Sequence, residues 1–181
     1  MTTPFLYSAG YTEDIRRVVA HLRAAHPAAK LFAVGFSLGS NKLAKFVGEE
    51  AQSGALDGAV CLAAPLDCLS MSNALSSRLV GRLMDPLLVR LVQDVKESHR
   101  SVLAMHPGVH LPTVDAARTM AEFDGAAIAP MMGEPSASQY YRSASAGRLL
   151  HRIATPTLII HATNDPIVSA QSSLYELARV P

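Results

Sequence analysis

The pentapeptide Gly35-Phe36-Ser37-Leu38-Gly39 constrains this chain more than any other stretch, because of what flanks it. Before it, Leu31-Phe32-Ala33-Val34-Gly35-Phe36 is a short apolar run after Lys30, the pattern of a buried parallel strand. After it, Leu43, Phe46 and Val47 give the segment from Ser37 to about Glu50 the core face of a helix. A serine between strand and helix, with glycine two residues away on either side, requires a tight turn in a strained backbone. Such a turn lifts the hydroxyl clear of the sheet edge and aims the N–H of Leu38 outward at the start of the helix, where a developing oxyanion is stabilised. The bland alternative is an ordinary Gly-Ser turn capping a helix.

The neighbouring elements repeat the alternation. Thr12 to about Ala25 reads as a helix: Ile15, Val18, Val19 and Leu22 form one stripe, Thr12 is the expected N-cap, Glu13 and Asp14 suit the first turn, and Pro27 ends it. Ala59 to Ala64 reads as a second buried strand stopped by Pro65. Thr157 to Ala162, after Pro156, reads as a third, and Ser169 to about Arg179 as a closing helix. The fold class is therefore α/β, a mainly parallel sheet flanked by helices. Residues 1–65 and 155–181 supply the sheet core, and 66–154 a helical cap insertion within one domain. In that insertion Leu75, Leu79 and Leu83 recur every fourth residue, and Leu87, Leu88, Leu91, Val92 and Val95 form a second apolar face, with Pro86 expected to break the helix.

Thr163-Asn164-Asp165-Pro166 directly follows the third strand. Open parallel sheets bind ligands beyond the carboxyl ends of their strands, so Ser37 and Asp165 belong to the same edge. An acid there can orient and stabilise a histidine through its Nδ1–H. Alternatively, Asp165 only starts an Asp-Pro turn. Sixteen basic and fifteen acidic residues are scattered through the chain, leaving no stripe for a phosphate backbone, so nucleic acid is not an expected partner. No apolar run approaches the roughly 20 residues of a spanning helix, and Met1–Gly10 lacks the pattern of a signal peptide. Cys61 reads as a core residue and Cys68 as a loop residue, two free thiols of a reducing compartment. There is no H-E-x-x-H, C-x-x-C or G-x-G-x-x-G, so no metal or organic cofactor is expected.

Several stretches, in order along nearly the whole chain, are similar to one branch of the α/β-hydrolases, the YheT-like and embryogenesis-associated group (AB hydrolase 4 family). They are Leu6 to Asp14, Val34 to Asn41, Phe46 to Glu50, Glu122-Phe123-Asp124, Ser138 to Ser145 and Ile153 to Pro166. The resemblance implies a partial α/β-hydrolase fold and a serine esterase or lipase acting on short-chain esters or lipid acyl groups through an acyl-enzyme. By matching position Ser37 is the nucleophile, Leu38 an oxyanion donor, Gly35 and Gly39 the elbow glycines, and Asp165 the triad acid. Ser40 stands where that family usually has glycine.

The family's histidine lies beyond the last helix, whereas all seven histidines here, His21 to His161, precede Asp165. His161 is expected to face packing, and His106 and His110 to be structural or solvated. Nor does anything before Met1 supply the early strands or the His-Gly type loop. The expectation is a chain truncated at both ends and nearly inactive as written; the alternative is a non-catalytic lipid- or protein-binding pseudo-hydrolase. The expected location is cytoplasmic, or membrane-associated through an N-terminal segment as in some relatives. Six of the seven methionines lie in the insertion, suggesting an acyl-binding cap, and Arg78, Arg82 and Arg90 are candidates to greet an anionic head group. Tyr140 and Tyr141 are expected to anchor the cap.

Overall fold

The computed structural model describes residues 6–51, 53–77 and 79–180, the side chains of Val80 and Gln93 excepted; Met1–Phe5 and Arg78 lie outside the described residues. The described chain falls into two compact units, residues 9–71 with 144–180, and residues 6–8 with 72–143.

The first unit is built on a three-stranded parallel sheet in the order β1 (Phe32–Phe36), β2 (Gly58–Leu62), β3 (Thr157–Ile160). In register, Val34 lies beside Val60 and Val60 beside Leu158; one row on, Phe36 lies beside Leu62 and Leu62 beside Ile160. Helices α1 (Glu13–Ala25) and α2 (Leu38–Glu50) belong to the same unit, as does α10 (Ala170–Leu177). Leu43, Ala44, Phe46 and Val47 of α2 pack with Ala59 and Cys61 of β2 into a core that includes Leu56, Leu66 and Leu150. Burial pushes the Cys61 thiol up to about 11, as fits a core cysteine.

The strands are parallel as expected, but two of them are not buried. Phe32, Val34 and Phe36 are 67%, 57% and 68% exposed, and Leu158 and Ile160 are 56% and 46% exposed. The side-chain alternation of a strand accounts for this. One sheet face carries the α2 core, and on the other face the alternate residues of β1 and β3 meet solvent. The apolar run could be read as a strand, but it does not say how many layers cover it.

Thr12 does precede α1, yet its hydroxyl donates to the Glu49 carboxylate of α2 and makes no cap bond. Arg16 adds bonds to Glu49 at 3.2 Å and Glu50 at 2.8 Å, so polar groups help fix α1 against α2. Within the expected stripe Val19 is buried, whereas Val18 is 58% exposed. Cys68 is not a loop residue: it opens α3 (Cys68–Ser77), is fully buried, and its N–H donates to Ser145 Oγ at 2.9 Å.

The second unit is helical. Its longest helix, α4 (Leu79–Ser98), runs through Pro86 without breaking. Proline removes one N–H and leaves the neighbouring turns bonded, and buried Asp85 and Val89 hold the helix on both sides. The packed face differs from the expected one. Asp85, Val89 and Lys96 are buried, while Leu79, Leu83, Leu87 and Leu91 are 76%, 71%, 48% and 67% exposed. Next come α5 (Arg100–Met105), α6 (Leu111–Ala116), α7 (Met120–Phe123), a π-helix (Asp124–Ile128), α8 (Ala129–Met131) and α9 (Ala137–Ala144). Tyr140 and Tyr141 are 3% and 5% exposed, with ring centroids 5.4 Å apart, and serve as anchors. Arg82 and Arg90 are exposed. Among the described residues no helix is long and apolar enough to cross a membrane.

Candidate active site

Ser37 sits between β1 and α2 with φ 50° and ψ −121°. This is a positive φ at a residue with a Cβ, a conformation that costs on the order of 1–3 kcal/mol and persists only where the surroundings impose it. Ser37 N–H donates to Leu62 O of β2 at 2.9 Å, and Ser37 O accepts from Ser40 N at 2.9 Å. Both backbone ends are thereby tied. The Ser37 side chain makes no cap hydrogen bond, and the residue is exposed. The turn is thus not an ordinary serine cap. Leu38 is the first residue of α2, so its N–H has no intrahelical acceptor and lies at the positive end of the helix dipole.

The two flanking glycines do different things. A Cβ on Gly35 would lie 2.7 Å from Ser40 Cα and 2.8 Å from Gly39 O, closer than backbone tolerates, whereas a Cβ on Gly39 would meet nothing within 4 Å. The close approach of strand and helix is therefore concentrated at Gly35. Ser40 fits this approach and adds to it. It is fully buried, and its Oγ lies 2.6 Å from both Gly35 O and Leu62 O, joining the carboxyl ends of β1 and β2.

Asn41 ends the second motif stretch, and nothing in its sequence context assigns it a role. It is 0% exposed, and its Nδ2 donates to Ala9 O at 3.2 Å and to Ala144 O at 2.9 Å. Its Oδ1 accepts from Ala146 N at 2.9 Å. One amide in the first turn after Ser37 thus clamps two remote segments onto α2. The signal available in the sequence was a polar residue just past the elbow on the buried side of a helix.

The ladder continues past the strands, since Ala63 N donates to Ile160 O at 2.8 Å. Ser37, Ala63 and His161 are the next residues after β1, β2 and β3, which puts Ser37 and the β3 end two strand spacings apart, roughly 10 Å. Ala63 shares the unusual backbone, with φ 51°. Asp165 lies four residues beyond His161. Its Oδ1 accepts from Ile167 N and Val168 N, both at 2.9 Å, so it does build a turn. Its Oδ2 is the less committed oxygen, 3.9 Å from His161 Nε2. His161 Nε2 lies 2.8 Å from Val168 O, and its Nδ1 is buried with no partner among the described residues. The Nε2–H tautomer satisfies that carbonyl, making His161 a brace of the acid's loop and directing it into packing. His106 Nδ1 accepts from Gly108 N at 3.3 Å, and His110 Nδ1 is 2.9 Å from Thr113 Oγ1, both local turn contacts.

Residues 8–180 match the family Hydrolase_4, described as serine aminopeptidase, S33. The chain is similar to a monoacylglycerol lipase of Saccharomyces cerevisiae, 31% identical over 188 residues, covering 100% of this chain and 41% of that protein. It is also similar to embryogenesis-associated protein EMB8 of Picea glauca, 32% identical, covering 97% of this chain and 39% of that one. Among solved structures, a mutant of the rice cell wall degrading esterase LipA from Xanthomonas oryzae aligns with 97% of this chain and 55% of its own. Its identity is 19% and its TM-score 0.48. The chain spans about two fifths of the length of the two relatives named. The match over residues 8–180, on a parallel sheet with a strained serine turn, makes this chain a member of the α/β-hydrolases, in the branch of the monoacylglycerol lipase and EMB8 relatives.

Proposed function

We propose that this chain carries the nucleophile and acid of a serine ester hydrolase acting on acyl esters of the lipid class. The observation that carries this reading is the backbone of Ser37, strained at φ 50° in an exposed residue whose hydroxyl is not used as a cap. In the reaction Ser37 Oγ bonds to the ester carbonyl carbon as its proton passes to a base, and the oxyanion takes the Leu38 N–H. Collapse expels the alcohol, which recovers the proton. Water then attacks the acyl-serine by the same route in reverse, releasing the acid and regenerating Ser37. Asp165 Oδ2 orients the base. The lipid substrate class is supported by the name of the yeast relative, a monoacylglycerol lipase.

No histidine follows Asp165 in the sequence, and His161 is bonded to Val168 O. Loss of the histidine in a comparable serine enzyme costs on the order of a millionfold in turnover, so the chain alone is expected to be nearly inactive. The engagement of His161 Nε2 with Val168 O favours a second reading, a lipid- or protein-binding pseudo-hydrolase. Imidazole in solution separates the two. p-Nitrophenyl butyrate hydrolysis by the chain, minus that by Ser37→Ala, should rise with imidazole concentration if Ser37 lacks only a base. An identical rate in wild type and Ser37→Ala at every imidazole concentration would leave the binding reading.

A further inference from the structure

The proposed esterase chemistry makes no use of a cluster of acids inside the helical unit. Tyr141 of α9 donates to Asp124 Oδ2 at 2.7 Å. Asp124 opens the π-helix Asp124–Ile128, a rare geometry that concentrates at functional positions. Asp85 of α4 is 3% exposed, and its Oδ1 accepts from Met120 N at 2.8 Å, one turn before Asp124. Two stretches that carried the family resemblance, Glu122-Phe123-Asp124 and Tyr140-Tyr141, therefore meet at one hydrogen bond.

We propose that Asp124, Tyr141 and Asp85 form a proton-dependent latch within the helical unit, holding the π-helix against α9 while Asp124 is protonated and loosening it on ionisation. Asp124 keeps some accessible surface, but its carboxyl lies among desolvating neighbours and is pushed up to about 7. The Tyr141 hydrogen bond works in the opposite sense and is outweighed, and the Asp85 charge adds to the rise. Burial, with Asp124 beside it, pushes the Tyr141 phenol up as well, so it remains a donor throughout. Ser72 bonds to Tyr141 from α3.

Of the other charged groups on the neighbouring elements, Arg82, Arg90 and Asp94 of α4 and Arg142 of α9 are exposed, and those nearest the π-helix in sequence or contact are engaged elsewhere. Asp115 of α6 binds Arg100 at 2.7 Å and Lys96 at 3.3 Å. Glu122 of α7 closes a capping box with Thr119. Helix α8, Ala129–Met131, has no titratable side chain. Among the described residues, ionised Asp124 has the Tyr141 hydroxyl as donor and the Asp85 carboxylate as a like charge that raises its pKa.

The sign follows from linkage. A carboxyl raised in the folded state favours folding below the ordinary carboxylate range, and that stability is lost as pH rises toward 7. Hydrogen exchange of peptides covering Asp124–Ile128 in the full chain, corrected for intrinsic rates, reads it between pH 5 and 9. The opening population should rise by up to about tenfold per pH unit to near pH 7 and then level off. Asp124→Asn should flatten the profile. Tyr141→Phe should move the levelling point to higher pH, and Asp85→Asn, whose amide oxygen still accepts from Met120 N, to lower pH. If Asp124→Asn does not fold, these opposite displacements decide. A flat wild-type profile, a slope retained in Asp124→Asn, or displacement of both other variants in one direction would overturn the latch.

Discussion

Replacing Asn41 with alanine removes three hydrogen bonds at once and leaves their partners inside the protein. Ala9 O, Ala144 O and Ala146 N each lose the Asn41 amide as partner, at 3.2, 2.9 and 2.9 Å respectively. A buried polar group left unsatisfied costs about 1–3 kcal/mol. Some relaxation toward water is expected at the two carbonyls, so the sum is about 3–6 kcal/mol, a large part of the roughly 5–15 kcal/mol that holds a domain folded. With a urea dependence of about 2 kcal/mol per molar, the unfolding midpoint followed by far-ultraviolet circular dichroism should fall by roughly 1.5–3 M. Asn41→Asp sharpens the reasoning. It keeps an acceptor for Ala146 N but sets a carboxylate against two carbonyl oxygens, so its deficit should be largest at neutral pH and shrink in acid, where protonation restores a donor. A midpoint drop below about 0.5 M for Asn41→Ala, or an Asn41→Asp deficit that ignores pH, would refute the clamp.

Gly35→Ala should destabilise by about 1–3 kcal/mol or more by driving a Cβ into the backbone of residues 39 and 40. Gly39→Ala, with nothing within 4 Å of its Cβ, should stay within about 1 kcal/mol of wild type; equal losses in urea titrations would contradict the asymmetry. Asp57 accepts from Leu31 N at 2.9 Å, with Lys30 at 2.9 Å and Arg23 at 2.7 Å. The Leu31 N–H, with these two cations, holds its carboxyl below the usual range. Its stabilisation is present above about pH 4 and is lost as pH falls. Thermal melts of Asp57→Asn should therefore lie below wild type at pH 7 and converge on it in acid. Asp165→Ala frees the Ile167 and Val168 N–H groups, and their hydrogen exchange should quicken by about tenfold or more, whereas unchanged protection would mean that the turn stands without the carboxylate.

The three parallel strands and the serine turn could be read from residues 31–50, 59–64 and 157–162 because each signal is local: an apolar run, a glycine pair, a helical stripe. What escaped depends on the layers around those elements. Phe36 and Ile160 read as buried and are exposed because burial needs a second face, which a strand's own sequence does not specify. Leu83 and Leu91 share the apolar spacing of α4, yet the packed face runs through Asp85 and Val89, since Asp85 accepts from Met120 N. Cys68 reads as a loop residue because Pro65 stops β2, while the bond from its own N–H to Ser145, 77 residues away, is invisible in the local sequence. At the site, the places of Ser37 and Asp165 beyond the ends of β1 and β3 were legible from motif and strand order. The clamp at Asn41 and the brace at His161 depend on carbonyl partners that only the fold brings near.

Ser37, held in a strained turn, is the nucleophile proposed above. Its most direct measurement is covalent capture: the chain is treated with an alkyl fluorophosphonate in the presence of imidazole, digested, and the adduct located by tandem mass spectrometry. The expected result is a phosphonate on Ser37 in preference to every other serine, lost in Ser37→Ala and weakened in Gly35→Ala. Labelling spread over several serines, or persisting undiminished in Ser37→Ala, would contradict it.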